Sequence, residues 1–141
     1  MTEKENIALK SYGNGATCSQ AVISAYIDEI GLDRETAYRL LEGFGGGFGG
    51  MQEVCGAFSG ACAVISFLHS DGSVEAKTKL DTYKQIRKAA EIFEEKYGAI
   101  RCYDVLHGEH PKPFKCGMKV KDAVAVVEMY RNNKENGVLA E

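Results

Sequence analysis

An all-α fold is what this sequence predicts, and three observations predict it. Apolar residues recur at three- and four-residue spacing along most of the 141 positions, the period of helices that bury one face. Helix-start signals precede those runs, and two of them are capping boxes. Alternation with period two never lasts long enough to mark a strand. There is no internal repeat and no linker long enough to divide the chain. Residues 1–141 therefore read as one domain of about six helices, long enough to bury a sizeable core. Within it, residues 1–15 form an N-terminal helix and turn, and 132–141 a loosely held tail.

The first helix starts where Thr2 and Glu5 form a capping box, and ends near Gly13, where Gly13-Asn14-Gly15 signals a turn. Thr17 and Gln20 form the second box and place Cys18 at the first helical position. Val22, Ile23, Tyr26, Ile27 and Ile30 then mark one face, with Gly31 as the stop. Asp33 caps a third helix carrying Ala37, Leu40, Leu41 and Phe44, which frays into six glycines within the eight residues from Gly43 to Gly50. The fourth helix, Gly56 to His69, has small residues on one stripe (Ala57, Gly60, Ala61, Val64) and Phe58, Cys62, Ile65 and Leu68 elsewhere. Apolar on nearly all sides, it is expected at the centre of the fold.

Asp71-Gly72-Ser73 makes a turn, and Ser73 is placed to cap a helix that reaches Tyr97. Its expected buried face is Leu80, Tyr83, Ile86 or Arg87, Ala90, Phe93 and Tyr97, opposite a solvated row of Lys77, Lys84, Lys88, Glu91 and Glu95. Gly98 closes it. Cys102 to Leu106 forms a short helical turn, and Pro111 and Pro113 keep the next segment irregular. A last helix, about Val120 to Arg131, buries Val120, Ala123, Val124, Val127 and Tyr130.

Composition narrows the function. With 17 basic and 20 acidic residues the chain carries −3, and nothing supplies the basic excess that a nucleic-acid partner needs. No apolar run approaches the ~18–20 residues of a membrane span. The charged start, Met1 to Asn6, lacks the apolar core of a signal peptide, so the cytoplasm is the expected compartment. Five cysteines in a reducing compartment point to metal binding or redox chemistry rather than to a disulfide framework.

Where those cysteines fall matters more than their number. Cys18 and Cys55 stand at helix starts, Cys102 opens a short turn, and Cys116 precedes the final helix. Cys62 alone lies inside a helix, two turns beyond Cys55 and too far from it for a disulfide, and reads as structural. A helix N-terminus favours thiolate over thiol, so Cys55 is the expected activated sulfur. The run before it needs a reason, because each glycine gives up a large backbone entropy on ordering. Close approach of backbone to a ligand is one such reason. It makes Gly46, Gly47 and Gly49, with Gly56 and Gly60, candidates for binding a cofactor.

Other patterns carry less. Gly45-x-Gly47-x-x-Gly50 matches a dinucleotide fingerprint in form, but without a preceding strand it has no mechanism. Cys102, His107, His110 and Cys116 form a compact set for zinc at a nonstandard spacing, against the plainer reading of exposed loop histidines. There is no Cys-x-x-Cys.

Cys18, then Cys55-Gly56-Ala57-x-x-Gly60, then Cys102 and Cys116, resembles the redox-active protein family labelled C_GCAxxG_C_C, over roughly residues 16 to 130. The label writes glycine, cysteine, alanine, whereas here Val54 precedes Cys55 and Gly56 follows it. The resemblance implies redox or cluster chemistry through Cys18, Cys55, Cys102 and Cys116, with Cys62 outside the pattern. A related domain in split-Soret cytochromes carries haem, but the Cys-x-x-Cys-His attachment is missing here. The leading expectation is a redox-active protein, an oxidoreductase in chemistry if it is an enzyme, whose four cysteines converge for thiol–disulfide exchange or electron transfer. The alternative uses the same four as ligands of an iron–sulfur cluster or another metal. A helical interaction module with incidental cysteines is the third reading. The partners these readings call for are a redox partner and, at most, a second copy in a homodimer.

Overall fold

The computed structural model describes residues 1–75, 77–110, 112 and 114–133. Among them are eight α-helices: α1 (Glu3–Gly13), α2 (Cys18–Ser24), α3 (Ile27–Ile30), α4 (Arg34–Leu41), α5 (Gly56–His69), α6 (Lys79–Tyr97), α7 (Cys102–Val105) and α8 (Gly117–Asn132). No strand occurs among the described residues beyond a single antiparallel bridge, Val54 to Arg101.

Both capping boxes form as the sequence predicts. Thr2 and Glu5 exchange hydrogen bonds at the start of α1, and Thr17 and Gln20 at the start of α2. Asp33 accepts from the Thr36 N–H and starts α4, and Gly31 and Gly98 end their helices with left-handed backbone.

The helix expected from Thr17 to Gly31 breaks at Tyr26, whose backbone leaves the helical region at φ −122°, ψ 19°. The break lets the Tyr26 ring bury completely and its hydroxyl donate to Glu128 Oε2 at 2.9 Å. Lys4 Nζ takes up the Ala25 carbonyl beside the break, at 2.8 Å. Together with the separate turn α3, this raises the count above the expected six.

Ser73 does not cap α6. Its N–H donates to Asp71 Oδ1 at 2.9 Å, and α6 begins only at Lys79. The early part of the expected α6 face is also out of phase: Leu80 and Tyr83 are 74% and 52% exposed, while Thr82, Gln85, Ala89 and Phe93 point inward. The cause lies at the end of α5. His69 reaches Asp81 Oδ2 at 2.6 Å and the Tyr130 hydroxyl at 2.7 Å, and this clip turns the Asp81 side of α6 towards α5. The last helix starts earlier than expected, with Cys116 as its N-cap. Pro111, Pro113 and most of the expected tail lie outside the described residues.

α5 is the hub. It packs against α2, α6 and α8, and α1 lies across α2 and α8. Gly60 sets the closest of these contacts, since a Cβ there would stand 2.8 Å from the Ser19 carbonyl oxygen and 3.0 Å from Val22 Cβ. Val22, Val64, Ile65, Phe93, Val120, Val124 and Val127 fill the centre with almost no exposure. Ser19 and Gln20 tie α2 to α4 by donating to the Leu41 and Tyr38 carbonyls at 2.7 and 3.0 Å. The N-terminal ends of α2, α5, α7 and α8 face one region, and Cys18, Cys55, Cys102 and Cys116 stand at those ends.

Candidate functional site: a cavity lined by four cysteines

After α4 a 3-10 turn, Glu42–Phe44, leads into the glycine run. The run is hydrogen-bonded to itself: Gly49 N–H donates to the Gly43 carbonyl at 2.8 Å, Gln52 N–H to Gly46 at 3.0 Å and Glu53 N–H to Gly47 at 2.9 Å. Gly46 and Gly47 have φ of 65° and 74°, which only glycine adopts without strain. Gly47 also lies against a sulfur-bearing residue, since a Cβ there would stand 2.7 Å from Cys102 Cβ.

Beyond the run the backbone pairs with the segment ahead of α7. Cys55 N–H donates to the Ile100 carbonyl at 2.7 Å and Tyr103 N–H to Gln52 at 3.0 Å, around the Val54–Arg101 bridge. Residues 47 positions apart in sequence, Cys55 and Cys102, are thereby brought to one place. Cys18 reaches it from α2. Its Sγ lies on the first turn of α5, only 2.4 Å from where a Cβ on Gly56 would be. Cys116 arrives from the start of α8, where its N–H donates to the Tyr12 hydroxyl of α1 at 3.0 Å.

These four cysteines line a single cavity of about 380 Å³. Tyr12, Thr17, Val105 and Leu106 complete its walls, and exposed Glu42, Lys112 and Phe114 mark its rim. Cys55 and Cys102, each 6% exposed, form the floor, whereas Cys18 and Cys116 are half-buried. All five cysteines are free thiols. Of the candidate glycines, Gly46, Gly47 and Gly56 line the cavity; Gly49 and Gly60 do not. Cys62 does not line it either, and burial pushes its thiol up to about 12.

Burial works against the expected activation of Cys55. Burial pushes its thiol up to about 12. The N–H groups of Phe58 and Ala57 pull the other way and lose, while the nearby charges of Cys18 and Cys102 add to the rise. A helix terminus contributes about 0.3–1 kcal/mol when exposed, whereas desolvation of a buried ionisable group moves its pKa by up to several units. Desolvation wins here.

Burial also raises Cys102 and Cys116, and each is raised further by the charge of a neighbouring cysteine and lowered by Lys119. Arg101 and Lys115, the cations next to Cys102 and Cys116 in the sequence, do not line the cavity. Arg101 stacks 5.3 Å from the Tyr103 ring and reaches Glu53 at 3.5 Å. Lys119 does line it, one turn into α8 from Cys116, and that i, i+3 spacing was the signal available in the sequence. Tyr12 carried no such signal, because only the packing of α1 on α8 brings it to Cys116.

The zinc set does not assemble. His107 and His110 are exposed and lie outside the cavity lining. Among the described residues no group of three or more His, Cys, Asp or Glu side chains is placed to hold a metal ion. As they stand, the chemistry open to the four thiols includes ionisation, nucleophilic attack and disulfide formation. No helix among the described residues is long and apolar enough to cross a membrane.

Neither the curated proteins nor the solved structures contain a significant match to this chain. A family model, described as "Putative redox-active protein (C_GCAxxG_C_C)", matches residues 16–130, a span that holds all four cavity cysteines. The chain belongs to that family.

Proposed function

We propose that the protein carries out thiol–disulfide exchange within this cavity. One observation carries the reading: four cysteines scattered from position 18 to position 116 line the same cavity of about 380 Å³, and the fifth stays outside it. Cys18 is the attacking sulfur, because it is half-buried rather than enclosed and its Sγ lies against the first turn of α5, next to Cys55. Cys55, beside it and enclosed, is the resolving thiol.

In the first step the Cys18 thiolate attacks one sulfur of a substrate disulfide. The substrate S–S bond breaks, a mixed disulfide forms, and the other substrate sulfur leaves as a thiolate. In the second step Cys55 gives its proton to the departing sulfur and attacks Cys18, forming the Cys18–Cys55 disulfide and releasing the second substrate thiol. Two electrons pass from the protein pair to the substrate.

Peptide mapping of the protein before and after treatment with a stoichiometric small disulfide tests the proposal. Cys18 and Cys55 should lose their free thiols together, and Cys18→Ser should leave Cys55 reduced. Oxidation that bypasses Cys18, or that proceeds unchanged in Cys18→Ser, would refute the assignment.

A further inference from the structure

The cavity contains a charge that the exchange steps above do not use. Lys119 lines it and is half-buried. Its Nζ stands 5.7 Å from the centre of the Tyr97 ring, and the Tyr97 hydroxyl donates to Asp122. Asp122 also accepts from Lys96 at 3.0 Å, so the platform beneath Lys119 is fixed. Among the described residues no carboxylate lies within ion-pair distance of Lys119: Asp122 is committed to Tyr97 and Lys96, and the one glutamate of the lining, Glu42, is exposed and makes no ion pair with it. The thiols nearest to Lys119 do not supply a negative charge in the resting protein either, since burial raises both Cys102 and Cys116. A half-buried lysine on the lining of a mostly apolar cavity, with no carboxylate partner among the described residues, is a recognition element for an anion that arrives with a ligand.

The floor of the cavity restricts the ligand further. Cys55 is 6% exposed, so the mixed disulfide on Cys18 must lie inside the cavity for Cys55 to resolve it, which a small molecule allows and a disulfide on the surface of a folded protein does not. A volume of about 380 Å³ falls in the range of small-molecule sites.

We propose that the substrate is a small organic disulfide bearing a carboxylate, and that Lys119 holds the carboxylate while Cys18 attacks the sulfur. This rests on the thiol-exchange reading and deepens it. Lys112, at the rim, adds positive charge on the entry side. The reaction balances as before: the disulfide is the oxidant, the protein dithiol the reductant, and the products are two thiols and the Cys18–Cys55 disulfide.

Single-turnover oxidation of the reduced full chain by three probes tests it: dithiobis-nitrobenzoate (anionic), dithiodipyridine (neutral) and cystamine (cationic). Each rate is divided by that of the same probe with a free small thiol, which removes intrinsic reactivity. The wild-type chain should favour the anionic probe. Lys119→Gln should slow that probe alone, by roughly tenfold, the worth of one charge-assisted contact, and Lys119→Arg should restore much of the rate. A loss common to all three probes in Lys119→Gln overturns the inference, because Lys119 then acts on the thiols and not on the ligand. Faster oxidation by a protein disulfide, such as those of insulin, than by any small probe also overturns it, yet leaves thiol exchange standing. No reaction of the wild-type chain with any disulfide removes both.

Discussion

Replacing Gly56 with alanine perturbs the site through one methyl group. The Cβ would stand 2.4 Å from Cys18 Sγ, 2.7 Å from the Phe44 carbonyl oxygen and 3.4 Å from Gly45 Cα. The first two are far inside contact distance, and the Phe44 oxygen belongs to backbone, so the sulfur is the group that must give. Overpacking of a close-packed site costs about 1–3 kcal/mol, and the better helix propensity of alanine returns about 0.5–1 kcal/mol. A net loss of about 1–2 kcal/mol is expected, read as a lower urea midpoint at unchanged slope. A double-mutant cycle with Cys18→Ala isolates the sulfur's share, since removing Sγ leaves only the Phe44 clash. Coupling of about 1 kcal/mol is expected, with Gly56→Ala costing less once the sulfur is gone. Alkylation of Cys18, followed by mass spectrometry of its peptide, should change in Gly56→Ala as the sulfur is driven off the first turn of α5. Costs that add to within about 0.5 kcal/mol, with Cys18 labelling unchanged, would refute the claim that this glycine exists to seat that sulfur.

Three further outcomes follow from the same geometry. Cys62→Ala should lose about 1 kcal/mol of stability for the buried atoms removed and leave oxidation of Cys18 and Cys55 at the wild-type rate, measured by thiol mapping. Stability should decline as pH rises through the window from the ordinary thiol range to about 12, because Cys55 and Cys62 stay protonated in the folded state while their unfolded counterparts ionise. The native state then binds more protons, so each such thiol subtracts about 1.4 kcal/mol per pH unit inside that window; Cys62→Ala should flatten the decline seen in urea melts, and a slope independent of both thiols would contradict their burial. Gly46→Val places a β-branched residue at φ 65° with its Cβ 3.0 Å from Gly50 Cα, and should cost at least about 1–2 kcal/mol and disturb Cys18 and Cys55 oxidation; a variant with wild-type exchange would reduce the run to a permissive turn.

Much of the helical framework was legible because it is encoded locally. Capping boxes at Thr2 and Thr17, the Asp33 cap and the stops at Gly31 and Gly98 depend on residues within one turn of each other, and all of them form. The misreadings come from long-range contacts. Tyr26 ends α2 early to bury its ring and reach Glu128, 102 residues away. The phase of α6 is set by His69 of α5, and neither Leu80 nor Tyr83 announces that it will face solvent. Periodicity finds an apolar stripe but cannot decide which neighbour fixes its rotation.

The site divides along the same line. That Cys18, Cys55, Cys102 and Cys116 belong together was readable from their positions at helix starts and from their order, but the balance of forces on them was not. A helix start argues for thiolate at Cys55, and sequence carries that argument because the start is local. Desolvation argues against it, and it depends on what the rest of the chain stacks above the sulfur. The glycines then take on a different meaning from flexibility. Gly47 abuts Cys102 and Gly56 abuts Cys18, at 2.7 and 2.4 Å from the positions a Cβ would occupy. Any side chain at either place would push one cysteine away from the others. The Gly-rich run and the glycine after Cys55 are thus spacing elements of the thiol cluster, which close packing holds together without a metal ligand set among the described residues.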